Sequence, residues 1–233
     1  MIVVLEGGDA SGKATQSKIL AERLGAALFA FPDYNTDVGK AILGNLKENW
    51  YITSGWDETD SGGDPYIRKE PRTNALVLQS LMLTNRMELG TNMLAASTRQ
   101  HLVIDRYDAS SFVYGVLDGL DPSWLWRANR ALPVKPDLYI LLDVPVEEGF
   151  KRRPERRDRY ESSVKRMEDV RIAYLKLFNE KHEASMRYPN NDKTSGTYLA
   201  LDPFYRVVDA VGSIEEVSAR IWDALVSTPH FKA

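Results

Sequence analysis

One segment limits what this chain can fold into more than any other. An apolar, β-branched run, Ile2-Val3-Val4-Leu5, passes through Glu6 into Gly7-Gly8-Asp9-Ala10-Ser11-Gly12-Lys13, and an amphipathic stretch follows to Leu24 with Gly25 behind it. A short strand, a glycine loop with Gly-x4-Gly-Lys spacing and a helix are the parts of a phosphate-binding loop. The glycines let backbone N–H groups close around phosphate oxygens, the helix N-terminus adds partial positive charge, and Lys13 reaches the outer phosphates. A glycine turn with a solvated lysine is the plainer alternative, and the flanking strand and helix weigh against it. Such a loop needs a parallel sheet behind it.

The rest of the chain supplies one. Apolar runs alternate with longer amphipathic ones, which is the pattern of a parallel α/β sheet covered by helices. Candidate strands are Ile2–Leu5, Ala27–Phe31, Leu102–Asp105, Leu138–Asp143 and Arg206–Asp209. Helical periodicity covers Lys13–Leu24, Thr73–Arg99, Pro122–Leu132, Ser162–Arg187 and Ile214–Val226. Within the second helix Leu78, Leu81, Met82, Leu89 and Met93 share a face, which reads as core or subunit contact rather than a cofactor box. The helix is long and apolar enough for Leu78, Leu81, Leu89 and Met93 to be expected at a two-fold contact. Glu48 to Arg72 carries Ser54-Gly55, Ser61-Gly62-Gly63-Asp64-Pro65 and Pro71, and reads as a surface insertion. No repeat or linker divides the 233 residues, so a single domain over 1–233 is expected.

Composition excludes several chemistries. There is no cysteine, hence no disulfide, thiolate zinc site or cysteine nucleophile, and His101, His182 and His230 lack ligand spacing. The net charge of −3 argues against a surface built for nucleic acid. The start has no basic n-region and no apolar run approaches the ~18 residues a membrane span needs. A soluble cytoplasmic protein without membrane or nucleic-acid partners is expected.

Ligands of parallel α/β sheets bind beyond the carboxyl ends of the strands. Phe31-Pro32-Asp33-Tyr34 follows the second strand, and Asp105-Arg106-Tyr107 the third, with Ser110, Ser111 and Tyr114 on the helix beyond. Asp143-Val144-Pro145 follows the fourth. Arg106 beside a phosphate loop can grip a second phosphate with its planar fork. The residue after Lys13 is Ala14, where the general motif has a Mg²⁺-binding hydroxyl; Thr15, one place late, or a carboxylate such as Asp9 would take that part. Lys151 to Arg166 holds eight basic residues (Lys151, Arg152, Arg153, Arg156, Arg157, Arg159, Lys165, Arg166) against Glu155, Asp158 and Glu161. That run reads as a flap over about 150–161, closing arginines over a transferring phosphoryl group, in preference to a solvated helix.

With these residues in view the sequence resembles the thymidylate kinase family of nucleoside monophosphate kinases. The likeness is carried by Leu5-Glu6-Gly7-Gly8-Asp9-Ala10-Ser11-Gly12-Lys13, Phe31-Pro32 with Gly39-Lys40, Asn85-Arg86, Asp105-Arg106-Tyr107-Asp108-Ala109-Ser110, Pro136-Asp137-Leu138 with Leu142-Asp143-Val144-Pro145, Asp158-Arg159-Tyr160-Glu161 and Val208-Asp209-Ala210. It implies a P-loop NTPase fold with a five-stranded parallel sheet flanked by helices, a mobile lid and a homodimer. It also implies transfer of the γ-phosphoryl of ATP to a deoxynucleoside monophosphate, dTMP first, with Mg²⁺. Gly7, Gly8, Ala10, Ser11, Gly12, Lys13, Ala14 and Thr15 would cradle ATP. Asp9, Phe31, Pro32, Tyr34, Met82, Arg86, Arg106, Ser110, Ser111, Tyr114 and Tyr160 would surround the acceptor nucleotide, Tyr114 walling the 2′ position of its sugar. Lys13, Asp9, Arg106, Arg153, Arg157 and Glu161 would act in catalysis, with Asp9 and Glu161 near the metal. Family members without a basic residue after the loop aspartate, here Ala10, carry arginines in the lid, which the stretch 152–159 fits. A stacking Phe of the family would align with Met82, and a polar group at the base edge with Ser111. Two alternatives stand beside dTMP phosphorylation: a kinase for another or a modified deoxynucleotide, and a nucleotide-binding regulator without catalysis, for which Ala14 is the support.

Overall fold

The computed structural model describes residues 1–48, 71–153, 163–187, 203–229 and 231. Five strands, β1 (Ile2–Glu6), β2 (Ala27–Ala30), β3 (Leu102–Asp105), β4 (Leu138–Asp143) and β5 (Phe204–Asp209), form one wholly parallel sheet in the order β2-β3-β1-β4-β5. β1 pairs Val3 with Val103 on one side and with Leu138 on the other. Chain order therefore reverses at β1, and the crevice beyond its carboxyl end opens where the phosphate-binding loop begins.

Strand alternation divides the core into two layers. Val3, Leu5, Val103, Leu138, Ile140 and Leu142 point to one face, where they meet Leu20 of α1 (Lys13–Leu24) and Val217, Ile221 and Leu225 of α9 (Ile214–Val226). Val4, Leu102, Ile104, Tyr139 and Leu141 point to the other. There they meet α3 (Pro71–Glu88), α5 (Asp108–Leu117) and α8 (Val164–Arg187) through Leu78, Val113, Val170, Tyr174 and Phe178. Because both faces are covered, the central strands read as continuous apolar runs. Local signals fix the helix ends: Gly25 caps α1 at φ 59°, and Ser213 with Glu216 forms a reciprocal capping box on α9.

Several expected boundaries change. The single helix expected over 73–99 is two, α3 and α4 (Gly90–Ser97), with the break at Leu89-Gly90. A Cβ at Gly90 would stand 2.6 Å from Pro133 Cγ, so the chain passes Pro133 only with glycine there. Of the apolar stripe assigned to a subunit contact, Leu78 and Met93 are wholly buried in this chain's own core, and Leu81 and Leu89 pack against it. The outward residues of this segment are instead Leu76, Met87 and Leu94, 41–45% exposed. Helices α2 (Asp37–Glu48) and α7 (Val146–Arg152) were not expected, and α6 (Pro122–Asn129) ends three residues early. Glu48, Pro71 and Arg72, taken as parts of the insertion, belong to helix ends, and residues 49–70 lie outside the described residues. No helix among the described residues is long and apolar enough to cross a membrane.

Candidate active site

The loop after β1 has the backbone that its glycines permit. Gly7 sits at φ 149°, and a Cβ there would meet Leu142 O at 2.7 Å and Ser11 Oγ at 2.9 Å. Gly12 (φ 89°) and Ala10 (φ 58°) are also left-handed, the latter a strained conformation for a residue with a side chain. Gly12 provides no side-chain cap for α1, and the first turn holds no acid, so the N-terminal amides and the helix dipole face the loop. Lys13, 6% exposed, folds back to donate to Gly8 O at 2.5 Å and Ser11 Oγ at 3.2 Å. Burial, helped by nearby Arg106, lowers its pKa to about 8. Ala14 and Thr15 are exposed on the first turn of α1.

Arg106 stands across the loop, one residue past β3, at φ 63°. Its guanidinium donates to Asp9 Oδ1 at 2.7 Å and to Gly7 O at 3.2 Å, and its Cζ lies 5.8 Å from the Tyr114 ring centre. Burial opposes its charge, but Tyr114, Asp9, Tyr174 and Asp105 together outweigh burial and hold its pKa above the ordinary arginine range. The conformation is held by a residue that sequence reasoning passed over. Glu6, the last residue of β1 and wholly buried, accepts from Tyr107 N (2.8 Å) and Ser110 N (3.2 Å), which are the N-cap and third residue of α5. Its other oxygen accepts from Ser110 Oγ (2.6 Å) and Tyr174 OH (3.1 Å). Glu6 is thus a cap supplied by another strand; burial raises its pKa against these donors and the two arginines nearby.

Beside Arg106 opens a cleft, concave and lined by a mixture of apolar and polar side chains, as small-molecule sites are. The structure brings to it Asp9, Phe31, Pro32, Tyr34, Met82, Arg86, Arg106, Ser110, Ser111 and Tyr114, all expected from the sequence. Leu46 and Gln79 complete the lining and were not foreseen. The Phe31–Pro32 peptide is cis. The turn after it is pinned by Asn85, which accepts from Asp33 N at 2.8 Å and donates to Thr36 Oγ1 at 2.9 Å. Arg86, 2% exposed, donates to Ser111 Oγ (2.7 Å), Tyr107 O (2.6 Å) and Met82 O (3.1 Å). Burial lowers its pKa, while Glu6 and Asp108 work in the opposite direction.

On the far side of the loop, Asp143 at the end of β4 receives two hydrogen bonds from Arg171, from Nε at 2.7 Å and from a terminal nitrogen at 3.1 Å, tying α8 to the sheet. Arg152, in the stretch read as a flap, ends α7 and donates to Ala210 O at 2.8 Å. Arg166 bonds Asp118 and Leu117 O. Both are fastened to the scaffold. Arg153 follows as the C-cap of α7. Arg157, Tyr160 and Glu161 lie outside the described residues. Asp105 was quoted only as a neighbour of Arg106, yet its Oδ1 is buried without a hydrogen-bond partner among the described residues.

Comparison with known proteins gives one answer. The family model for thymidylate kinase matches residues 64–193, more than half of the chain. The chain is 30% identical over 225 residues to a probable thymidylate kinase of Thermococcus onnurineus, covering 93% of each. It is 28% identical over 219 residues to the thymidylate kinase of Schizosaccharomyces pombe, covering 91% of this chain and 92% of that one. The solved structure of thymidylate kinase from Candida albicans matches with a TM-score of 0.68 over 97% of this chain and 91% of that chain, at 23% identity, a likeness of fold.

Proposed function

The chain belongs to the thymidylate kinase family, and we propose that, as a phosphotransferase of that family, it moves the γ-phosphoryl group of ATP to dTMP, giving ADP and dTDP. The observation that carries this reading is the Asp9–Arg106 pair, which stands at the seam between the glycine loop and the cleft. A triphosphate held by the loop amides and Lys13 would place its outer phosphate at this seam, and the acceptor phosphate would reach it from the cleft. Arg106, turned from Asp9 to the acceptor, can hold phosphate through two parallel N–H bonds. Tyr114 would lie beside the deoxyribose, and Phe31 and Met82 would flank the base near Arg86. With both phosphates fixed, positioning and electrostatic stabilisation supply most of the acceleration. The lid assigned to about 150–161 would add Arg153, Arg157 and Glu161, with Tyr160 toward the acceptor.

Mg²⁺ takes hard oxygen donors, and the unpartnered buried Oδ1 of Asp105 fits that requirement. Asp105 and Asp9, both in the electrostatic field of Lys13, would hold the ion together with nucleotide oxygens. Bound there, Mg²⁺ would neutralise charge developing on the transferred group. A two-fold homodimer, the family's assembly, would use the outward Leu76, Met87 and Leu94; light scattering showing only monomer at micromolar concentration counts against it.

The test is ADP release in a coupled assay with ATP, Mg²⁺ and a panel of nucleoside monophosphates. Turnover of dTMP, abolished in folded Lys13→Ala, is the expected result. No turnover of any monophosphate by folded protein would overturn the reading.

A further inference from the structure

Two buried polar atoms in the cleft wall have no hydrogen-bond partner among the described residues. One is Arg86 Nε, a donor, and the other is Gln79 Oε1, an acceptor on a residue only 4% exposed. Both residues line the cleft, and both stand on α3. Gln79, Met82 and Arg86 are spaced i, i+3, i+7, so they share one face. Arg86 leans back along the helix until its guanidinium reaches Met82 O at 3.1 Å, which places it at the level of Met82. The backbone of Gln79 stands about 4.5 Å along the axis from that of Met82, toward the helix N-terminus. A donor and an acceptor on one helix face, both buried and neither satisfied by the described residues, suit a ligand with an acceptor and a donor side by side, because an orphaned buried polar group costs free energy.

We infer that Gln79 is a base-reading residue: its Oε1 accepts the N3–H of a 2,4-dioxopyrimidine while Arg86 faces the adjacent O4. The inference rests on the kinase reading above and adds the residue that recognises the imide. The order of groups decides the class of base. Thymine and uracil present an acceptor at O4 and a donor at N3, matching Arg86 and Gln79 in turn. Cytosine presents a donor at N4 and an acceptor at N3, which opposes both. Ser111 Oγ accepts from Arg86 at 2.7 Å and so holds the guanidinium in place, while its own O–H remains able to donate. Gln79 thereby supplies the amide at the base edge, from a position two residues before the start of the Leu81-Met82 pair and not from the helix that carries Ser111.

The experiment compares dTMP with N3-methyl-dTMP on the wild type and on Gln79→Met, which keeps the length and volume of the side chain and removes its acceptor. Wild type is expected to use dTMP at least 100-fold better than N3-methyl-dTMP in kcat/KM. In Gln79→Met, kcat/KM for dTMP should fall about 10- to 100-fold through KM, while N3-methyl-dTMP changes less than about threefold and KM for ATP stays within about twofold. An unchanged dTMP value, or an equal loss for both nucleotides, overturns the inference. So does wild-type protein that accepts N3-methyl-dTMP as readily as dTMP, a result independent of whether the variant folds. Absence of dTMP turnover by the wild type would instead overturn the kinase reading on which the inference stands.

Discussion

Lys13 offers a prediction in which activity and stability move in opposite directions. Its ammonium is almost wholly buried against Gly8 O and Ser11 Oγ, and its pKa of about 8 lies below the 10.5 of an exposed lysine. The drop corresponds to about 3 kcal/mol at 1.36 kcal/mol per pH unit. Between pH 8 and 10.5 the unfolded chain binds more protons than the folded one, so stability rises with pH across that window. Below pH 8 the full penalty is present. Lys13→Met removes the charge and loses two hydrogen bonds, so it should be more stable than wild type by about 1–2 kcal/mol at pH 7. That advantage should vanish by pH 10, and the variant should be inactive throughout. For the wild type, about one-tenth of the free enzyme keeps the charge at pH 9, so kcat/KM for ATP should fall about tenfold between pH 7 and 9. A bound triphosphate favours the charged lysine, so kcat should stay level over the same range. The measurements are pH-rate profiles under saturating and limiting ATP, and thermal denaturation of both proteins at pH 7 and 10. Level kcat/KM to pH 10, or Lys13→Met less stable than wild type at pH 7, would refute the argument from burial.

Arg106→Lys should lower kcat/KM for the monophosphate about 10- to 100-fold, since a point charge replaces a planar fork; KM for ATP should move less than about threefold. Equal losses on both substrates would place Arg106 on the donor side. Glu6→Ala leaves two backbone N–H groups short of an acceptor and, because Ser110 Oγ and Tyr174 OH lie 2.8 Å apart and can bond each other, one of those hydroxyls as well, and should cost about 3–5 kcal/mol, or about 6–20 °C in Tm. A fall below about 2 °C in calorimetry would show that water or rearrangement replaces the carboxylate. Met82 is a flexible thioether where a flat ring would stack, so wild type should use dUMP within about tenfold of dTMP, a margin of about 1.4 kcal/mol. Met82→Phe should widen that gap in kcat/KM, and strict dTMP selectivity untouched by the substitution would show that Met82 does not set it.

What the sequence alone determined is everything whose cause is local. Gly7 and Gly12 announce left-handed backbone, the apolar runs around Val3, Ile104 and Ile140 announce strands buried on both faces, and the residues that follow each strand announce the rim of the crevice. That is why Asp9 and Arg106 were expected at one rim; the family resemblance added Phe31, Arg86 and Tyr114 as nucleotide contacts, and all five are found around one cleft. Tertiary structure decided what depends on partners distant in the chain. Strand order, the close pass of Pro133 that calls for glycine at Gly90, and the cap that Glu6 gives a helix more than 100 residues away leave no periodic trace, because each is a pairing between segments and not a property of either. Gln79 shows the difference most plainly. In sequence it is one of several polar residues on an amphipathic helix, indistinguishable from a solvated one. Only the packing of α3 over the sheet buries its amide, withholds a partner from Oε1 and turns it into part of the cleft. Burial without satisfaction is a relation between a group and all of its surroundings, and the folded chain alone supplies those surroundings.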